Sequence, residues 1–170
     1  VEDCKKIENI IDCYPSYKYT VAFPRRFAAA ICQIQKELAK GGLGEILRIE
    51  CQTYEQMRMA SGDAKRQIPR KGIFMDLMLQ DIDMVRWLSG KAYESVYVVG
   101  NAMRYSSLSQ QGDVDSAVAI AKLEGGCIVN IISSRVVHSG EGFRFNIVGS
   151  YGLLNYAYFA VLSGFVSSQD

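Results

Sequence analysis

The stretch GIFMDLMLQDIDMVRWLSG, residues 72–90, places the carboxylates Asp76, Asp81 and Asp83 and the amide Gln80 in an otherwise apolar segment. Groups of these types accept hydrogen bonds from hydroxyls, hold or pass protons, or pair with cations. At 3.6 residues per turn, Asp76, Gln80, Asp83 and Trp87 fall on one helical stripe, at spacings of 4, 3 and 4. Ile73, Leu77, Val85 and Leu88, with Met75, Met78, Leu79 and Ile82, occupy the rest of the cylinder. A helix apolar on both sides of a polar stripe is embedded between a sheet and a second layer, where an unpaired carboxylate is costly. Two readings stand. In the structural one, Asp76 caps or bridges to a neighbouring strand, Asp83 pairs with Arg86, and Asp81 faces water. In the functional one, Asp76 and Gln80 form the polar wall of a pocket. Residue physics alone favours the first, because ion pairs that hold a fold also perturb acids.

Other groups with chemistry in them are sparse. His138 is the only histidine, at the end of a strand-like run, VVHSGEG. A surface or hydrogen-bonded role suits it better than that of a base. The five cysteines, Cys4, Cys13, Cys32, Cys51 and Cys127, are odd in number and widely spaced, without C-x-x-C. That disfavours a disulfide framework or thiolate zinc site and fits a reducing, cytoplasmic setting.

The elements that must position these groups follow from periodicity. Cys4, Ile7, Ile10 and Ile11 share a helical face within residues 2–12, with Glu2 and Asp3 in the first turn. The run YKYTVAF, 17–23, reads as a short strand ended by Pro24. Helical spacing resumes at Phe27, Ile31, Ile34 and Leu38 and closes at Lys40-Gly41. Residues 46–56 alternate as a strand, 58–71 are a polar loop with Gly62 and Pro69, and 73–88 are the acid-bearing helix. Strand-like runs follow at 94–104, 115–123, 127–136, 143–148 and 153–159, with turns at Glu124-Gly125-Gly126 and Gly149-Ser150-Tyr151-Gly152. The expected fold is α+β: an open, mainly antiparallel sheet with helices on one face, preceded by a helix–strand–helix α/β unit. Tyr97, Val99, Val118, Ile120, Ile128, Ile132, Phe145 and Ile147 offer more apolar surface than one helix layer hides, which predicts self-association through the sheet.

Composition bounds the partners. With 170 residues, 49% hydrophobic and 22% charged, the chain can bury a core. Nineteen basic against 18 acidic residues leave no basic stripe for nucleic acid. The most apolar segment, Leu153 to Val166, is too short for a membrane span, and Glu2, Asp3, Lys5 and Lys6 rule out a signal peptide at this start. The chain starts at Val1 rather than Met and reads as cut from something longer.

The 72–90 helix resembles the G-x-x-x-D-x-x-x-H-D-x-D-x-x-x-x-L-x-G helix of the Gfo/Idh/MocA oxidoreductases, which include inositol dehydrogenases and glucose–fructose oxidoreductase. VAFPRRF (21–27) is similar to the family's V-x-F-x-R-R-F segment, and GLGEI (42–46) to its G-x-I-G-x-I turn. ESVYVVG (94–100), GDVDSA (112–117) and the late G-S-x-G turn also fit, so the resemblance runs from about Glu2 to about Leu154. It implies that residues 1–27 are the tail of a dinucleotide-binding Rossmann domain and that 28–170 are a C-terminal substrate and oligomerisation domain. The full-length enzyme is then expected to use NAD or NADP, to act on a sugar, inositol or similar polyol, and to form a homodimer or homotetramer. The resemblance assigns Asp76 and position 80 to catalysis, and Arg25 and Asp83 to substrate binding. It leaves Arg26 either at the substrate or in a structural pair with a carboxylate.

The departures are equally specific. The family histidine is Gln80, and an amide cannot give or take a proton near neutral pH. The family's Y-G-Y-D segment reads Ser139-Gly140-Glu141-Gly142, and Pro24 stands where Asn or Met is usual. There is no G-x-G-x-x-G after a strand, and no E-K-P lysine, so this chain alone is not expected to bind NAD strongly. Two functions follow: the substrate-binding part of an NAD(P)-dependent dehydrogenase, or a non-catalytic scaffold or ligand-binding descendant.

Overall fold

The computed structural model describes residues 2–56, 72–136 and 141–160. Helix α1 (Glu2–Asp12) leads into an irregular segment and a 3-10 turn, Pro24–Phe27. Helix α2 (Ala29–Ala39) and strand β1 (Ile46–Tyr54) follow. A π-helical turn, Phe74–Met78, runs directly into α3 (Leu79–Ser89). The remaining strands are β2 (Tyr93–Asn101), β3 (Ser116–Leu123), β4 (Ile128–Ser134), β5 (Glu141–Gly149) and β6 (Leu153–Ala160).

The six strands form one sheet in the order β2-β3-β4-β1-β5-β6. Only the central β1–β4 pair is parallel; every other neighbouring pair is antiparallel. The expected α+β class and mainly antiparallel open sheet are therefore what the chain adopts. Period-two alternation sorts each strand's residues between two faces. Ile49, Cys51 and Thr53 of β1, Ala117, Ala119, Ala121 and Leu123 of β3, and Val129, Ile131 and Ser133 of β4 face the helices and are buried. Against them pack Ile31 of α2, Leu77 and Met78 of the π turn, and Met84, Val85 and Leu88 of α3. Each such side chain contributes roughly 1.5–3 kcal/mol by leaving water. Helix α3 stops where Gly90 takes a left-handed conformation and returns its N–H to the Arg86 carbonyl.

Two expectations fail here. Residues 17–23 form no strand: Tyr17, Tyr19 and Val21 are exposed, and no strand of the sheet lies beside them to pair with. A β-prone run without a neighbour gains no ladder bonds, so the first unit is helix, extended segment, helix. Phe145 and Ile147 do not belong to the free face of the sheet. In register they oppose Cys51 and Ile49, which point at the helices, and both are buried. Arg144, Asn146 and Val148 take the other face of β5. The polar loop expected at 58–71 lies outside the described residues.

Candidate functional site

The acid-bearing helix opens on backbone geometry. Gly72 has φ +71, and a Cβ there would sit 2.9 Å from Asp113 Oδ1. This close approach brings the Ile73 N–H to Asp113 Oδ1 at 2.8 Å, so Asp113 occupies an otherwise unbonded donor at the helix start. The next five residues form the π turn, whose i→i+5 bonding widens the helix by a residue, a device often found at functional sites. The wider turn breaks the stripe expected from 3.6-residue spacing. Asp76 is pushed out, its side chain 45% exposed, while Asp83 turns into the protein.

Asp76 is held from the sheet. Arg135, immediately after β4, has a side chain only 3% exposed and splits its guanidinium between two acids. Nη1 donates to Asp113 Oδ2 at 2.8 Å and Nη2 to Asp76 Oδ2 at 3.1 Å. The Arg135 backbone N–H donates to the Asp115 carbonyl at 2.8 Å. The buried Asp115 carboxylate in turn receives the N–H groups of Arg104 and Tyr105 at 2.8 and 2.9 Å. Asp76 thus has one oxygen fixed by a planar, two-pronged donor, and its Oδ1 takes no hydrogen bond from another described residue.

The other two acids close separate pairs. Asp81 is buried; its Oδ1 accepts from Arg25 at 2.5 Å and from Thr53 at 2.8 Å, and Arg25 also donates to Thr53. The Arg25 guanidinium lies 4.3 Å from the centre of the Phe143 ring. Burial raises the Asp81 carboxyl above its ordinary range, a push that Arg25 and Thr53 offset only in part. Asp83 receives both Nε and Nη2 of Arg26, which holds that guanidinium more firmly in its charged form. Asp83 therefore pairs with Arg26 and not with Arg86, and Asp81 faces the interior and not water. Burial also raises the Cys51 thiol and the Tyr93 phenol, with Asp81 adding to both. Those groups stay protonated near neutral pH.

Of the four residues assigned to the site from the sequence, Asp76 and Gln80 lie one turn apart, whereas Arg25 and Asp83 are engaged with Asp81 and Arg26. Gln80 Oε1 is buried without a partner among the described residues, as are Asp81 Oδ2 and Ser133 Oγ. Ser133 opposes Thr53 in the β1–β4 register, so a band of polar groups runs beneath α3. His138 lies outside the described residues. Sequence reading missed Arg135, Asp113, Asp115 and Thr53. The available signal was an arginine in SSRVV, just after β4, and two acids in GDVDSA, just before β3.

A cavity of about 380 Å³ opens at the opposite end of α3, lined by Arg26, Asp83, Trp87, Lys91 and Glu124 among others; Asp76 does not line it. Among the described residues no cluster of three histidine, cysteine or acidic side chains could hold a metal ion. Nor does Gly41-Gly42 suit a dinucleotide: the pair follows a helix and leads into a strand, the reverse of the strand-to-helix order that points amides at a pyrophosphate. What the arrangement can do is accept hydrogen bonds, at Asp76 Oδ1 and at the Gln80 amide.

A family model described as the GFO/IDH/MocA C-terminal domain matches residues 31–155. The myo-inositol 2-dehydrogenase of Thermotoga maritima is 26% identical over 159 residues, spanning 89% of this chain and 42% of its own length. The scyllo-inositol 2-dehydrogenase (NAD(+)) of Bacillus subtilis is 27% identical over 155 residues, spanning 88% of this chain and 44% of its own. The solved structure of apo scyllo-inositol dehydrogenase from Lactobacillus casei superposes with a TM-score of 0.80 over 91% of this chain and 45% of that one; at 23% identity it speaks to the fold alone. The chain therefore spans less than half the length of these relatives.

Proposed function

The chain belongs to the GFO/IDH/MocA family as its C-terminal domain, and from that membership we propose that it is the polyol-binding and oligomerisation part of an NAD(P)-dependent oxidoreductase acting on an inositol, a sugar or a similar polyol. One observation carries this reading: Asp76 sits on a π-helical turn with one carboxylate oxygen anchored by a buried arginine and the other taking no hydrogen bond from a described residue. A fixed acceptor suits a ligand that presents hydroxyl donors, because an unmoving partner costs little ordering on binding. Gln80 adds an amide that can bond a second hydroxyl.

In this reading residues 1–27 continue from a cofactor domain, residues 28–170 form the substrate domain, and the nicotinamide is held by residues outside this chain. The full-length protein is a cytoplasmic homo-oligomer. The chain's own part is to bind and orient the ring, with Arg25 steadying the wall through its pair with Asp81; Asp83, paired with Arg26, lines the cavity at the other end of α3. It has no histidine at position 80 to move the proton that accompanies oxidation of a hydroxyl.

The last point favours a second reading, a ligand-binding or scaffolding descendant without turnover. One assay separates the two. The longest natural protein containing this chain is mixed with NAD and myo- or scyllo-inositol, and NADH formation is followed by absorbance, for the wild type and for Gln80→His. Turnover by the wild type supports the enzyme. Turnover only after Gln80→His supports a binding site that lost its acid–base group. Absence of polyol binding by either protein, measured by calorimetry, removes the first reading.

A further inference from the structure

We propose that Arg135 is the positioning residue of this site, a clamp that sets the direction of the Asp76 carboxylate and ties it to the start of the acid-bearing helix. The inference rests on the polyol reading for its ligand but on geometry for the clamp. One guanidinium bonds Asp76 through Nη2 and Asp113 through Nη1, and Asp113 also accepts the Ile73 N–H. The π turn is therefore gripped twice by the same unit, at its leading backbone amide and at its functional side chain. Arg135 is itself fixed through its backbone N–H to Asp115, and its side chain is almost wholly buried. Such a group cannot follow the ligand; Asp76 is aimed before a ligand arrives.

The chemistry depends on the planar fork. Without Arg135, the carboxylates of Asp76 and Asp113 face the same space with no cation between them, and Asp76, the more exposed, swings to water. A lysine restores the charge but is a point donor that cannot span both acids in one plane. Asp113→Asn keeps an oxygen for the Ile73 N–H but turns an amide donor toward Arg135 Nη1, so it breaks the Asp113 half of the clamp.

The test has two arms. Crystal structures of the wild-type chain and of Arg135→Gln, grown alike, form the first and need no ligand. Asp76 is expected to leave the position it holds in the wild type; an unmoved Asp76 overturns the clamp. In the second arm, myo-inositol affinity is measured by calorimetry, with NAD present, in the longest natural protein containing this chain. Arg135→Gln is expected to weaken binding by about tenfold or more, with Arg135→Lys between it and the wild type. Adding Asp76→Asn to Arg135→Gln should cost less than about a further twofold, because the two residues act as one unit. Additive losses overturn the proposal. A core change such as Val85→Ala should lower the melting temperature without moving the affinity, which separates positioning from general damage. A wild type that binds no myo-inositol defeats the polyol reading and leaves the clamp to the crystal structures.

Discussion

Asp81 shows how a residue expected to face water can prove architectural in the fold. Its carboxylate joins Arg25 and Thr53 beneath α3, buried so deeply that desolvation outweighs both partners and raises it above the ordinary carboxyl range. The sign of the consequence follows by linkage. An acid raised on folding stabilises most below its unfolded value near 4, and that contribution is lost as pH rises through the folded value. The stability difference between wild type and Asp81→Asn should therefore fall as pH climbs from about 4, by at most about 1.4 kcal/mol per pH unit. Paired urea titrations across that range check it; parallel curves would refute it. Residues Asp76 and Gln80 could be named from their types and their place in the family-like helix. The partners of those acids could not, since Arg25 to Asp81 and Arg135 to Asp76 join positions far apart in the chain.

At the scale of elements, the acid-bearing helix was legible in extent but not in form. Its apolar spacing and the Ser89-Gly90 stop predict residues 73–88, and the helix does end at Ser89. Periodicity assumes a constant turn, so the π turn at 74–78 and the loss of the single stripe were invisible. Gly72 marks the point where chain geometry and site geometry meet. With φ +71 and Asp113 Oδ1 in the way of a Cβ, Gly72→Ala should destabilise by about 1–2 kcal/mol for the left-handed backbone alone. It should also loosen the Ile73–Asp113 bond. Thermal melts give the first effect, and faster exchange of the Ile73 amide gives the second. A neutral substitution would show that the helix start is not held as described.

Across the molecule, β1, β3 and β4 have one face under the helices and one open, and β2 is exposed on both. Tyr97 and Val99 of β2 are 68% and 55% exposed, and Val118, Ile120 and Ile128 continue the same apolar surface across β3 and β4. Monomeric proteins rarely leave so continuous an apolar patch to water. The chain is therefore expected to self-associate at micromolar concentration, and replacing Tyr97 and Ile120 together by Glu should weaken that association by at least about tenfold. Multi-angle light scattering reads both; a wild-type mass equal to one chain would end this expectation. No helix among the described residues is long and apolar enough to cross a membrane.

Local pattern was sufficient for most of the architecture. Alternation marked β1, and β-type runs between turn signals marked the other five strands, since both signals are local to each strand. The glycine turns between β3 and β4 and between β5 and β6 were equally local. What needed the folded chain was everything set by long-range neighbours. The run at 17–23 is β-prone yet finds no strand beside it. The inward face of Phe145 and Ile147 follows from their register with β1. The pairing of each acid depends on which arginine the sheet and the 3-10 turn carry to it. Electrostatic partners are chosen by proximity in space, and proximity between residues sixty positions apart is a property of packing, not of spacing.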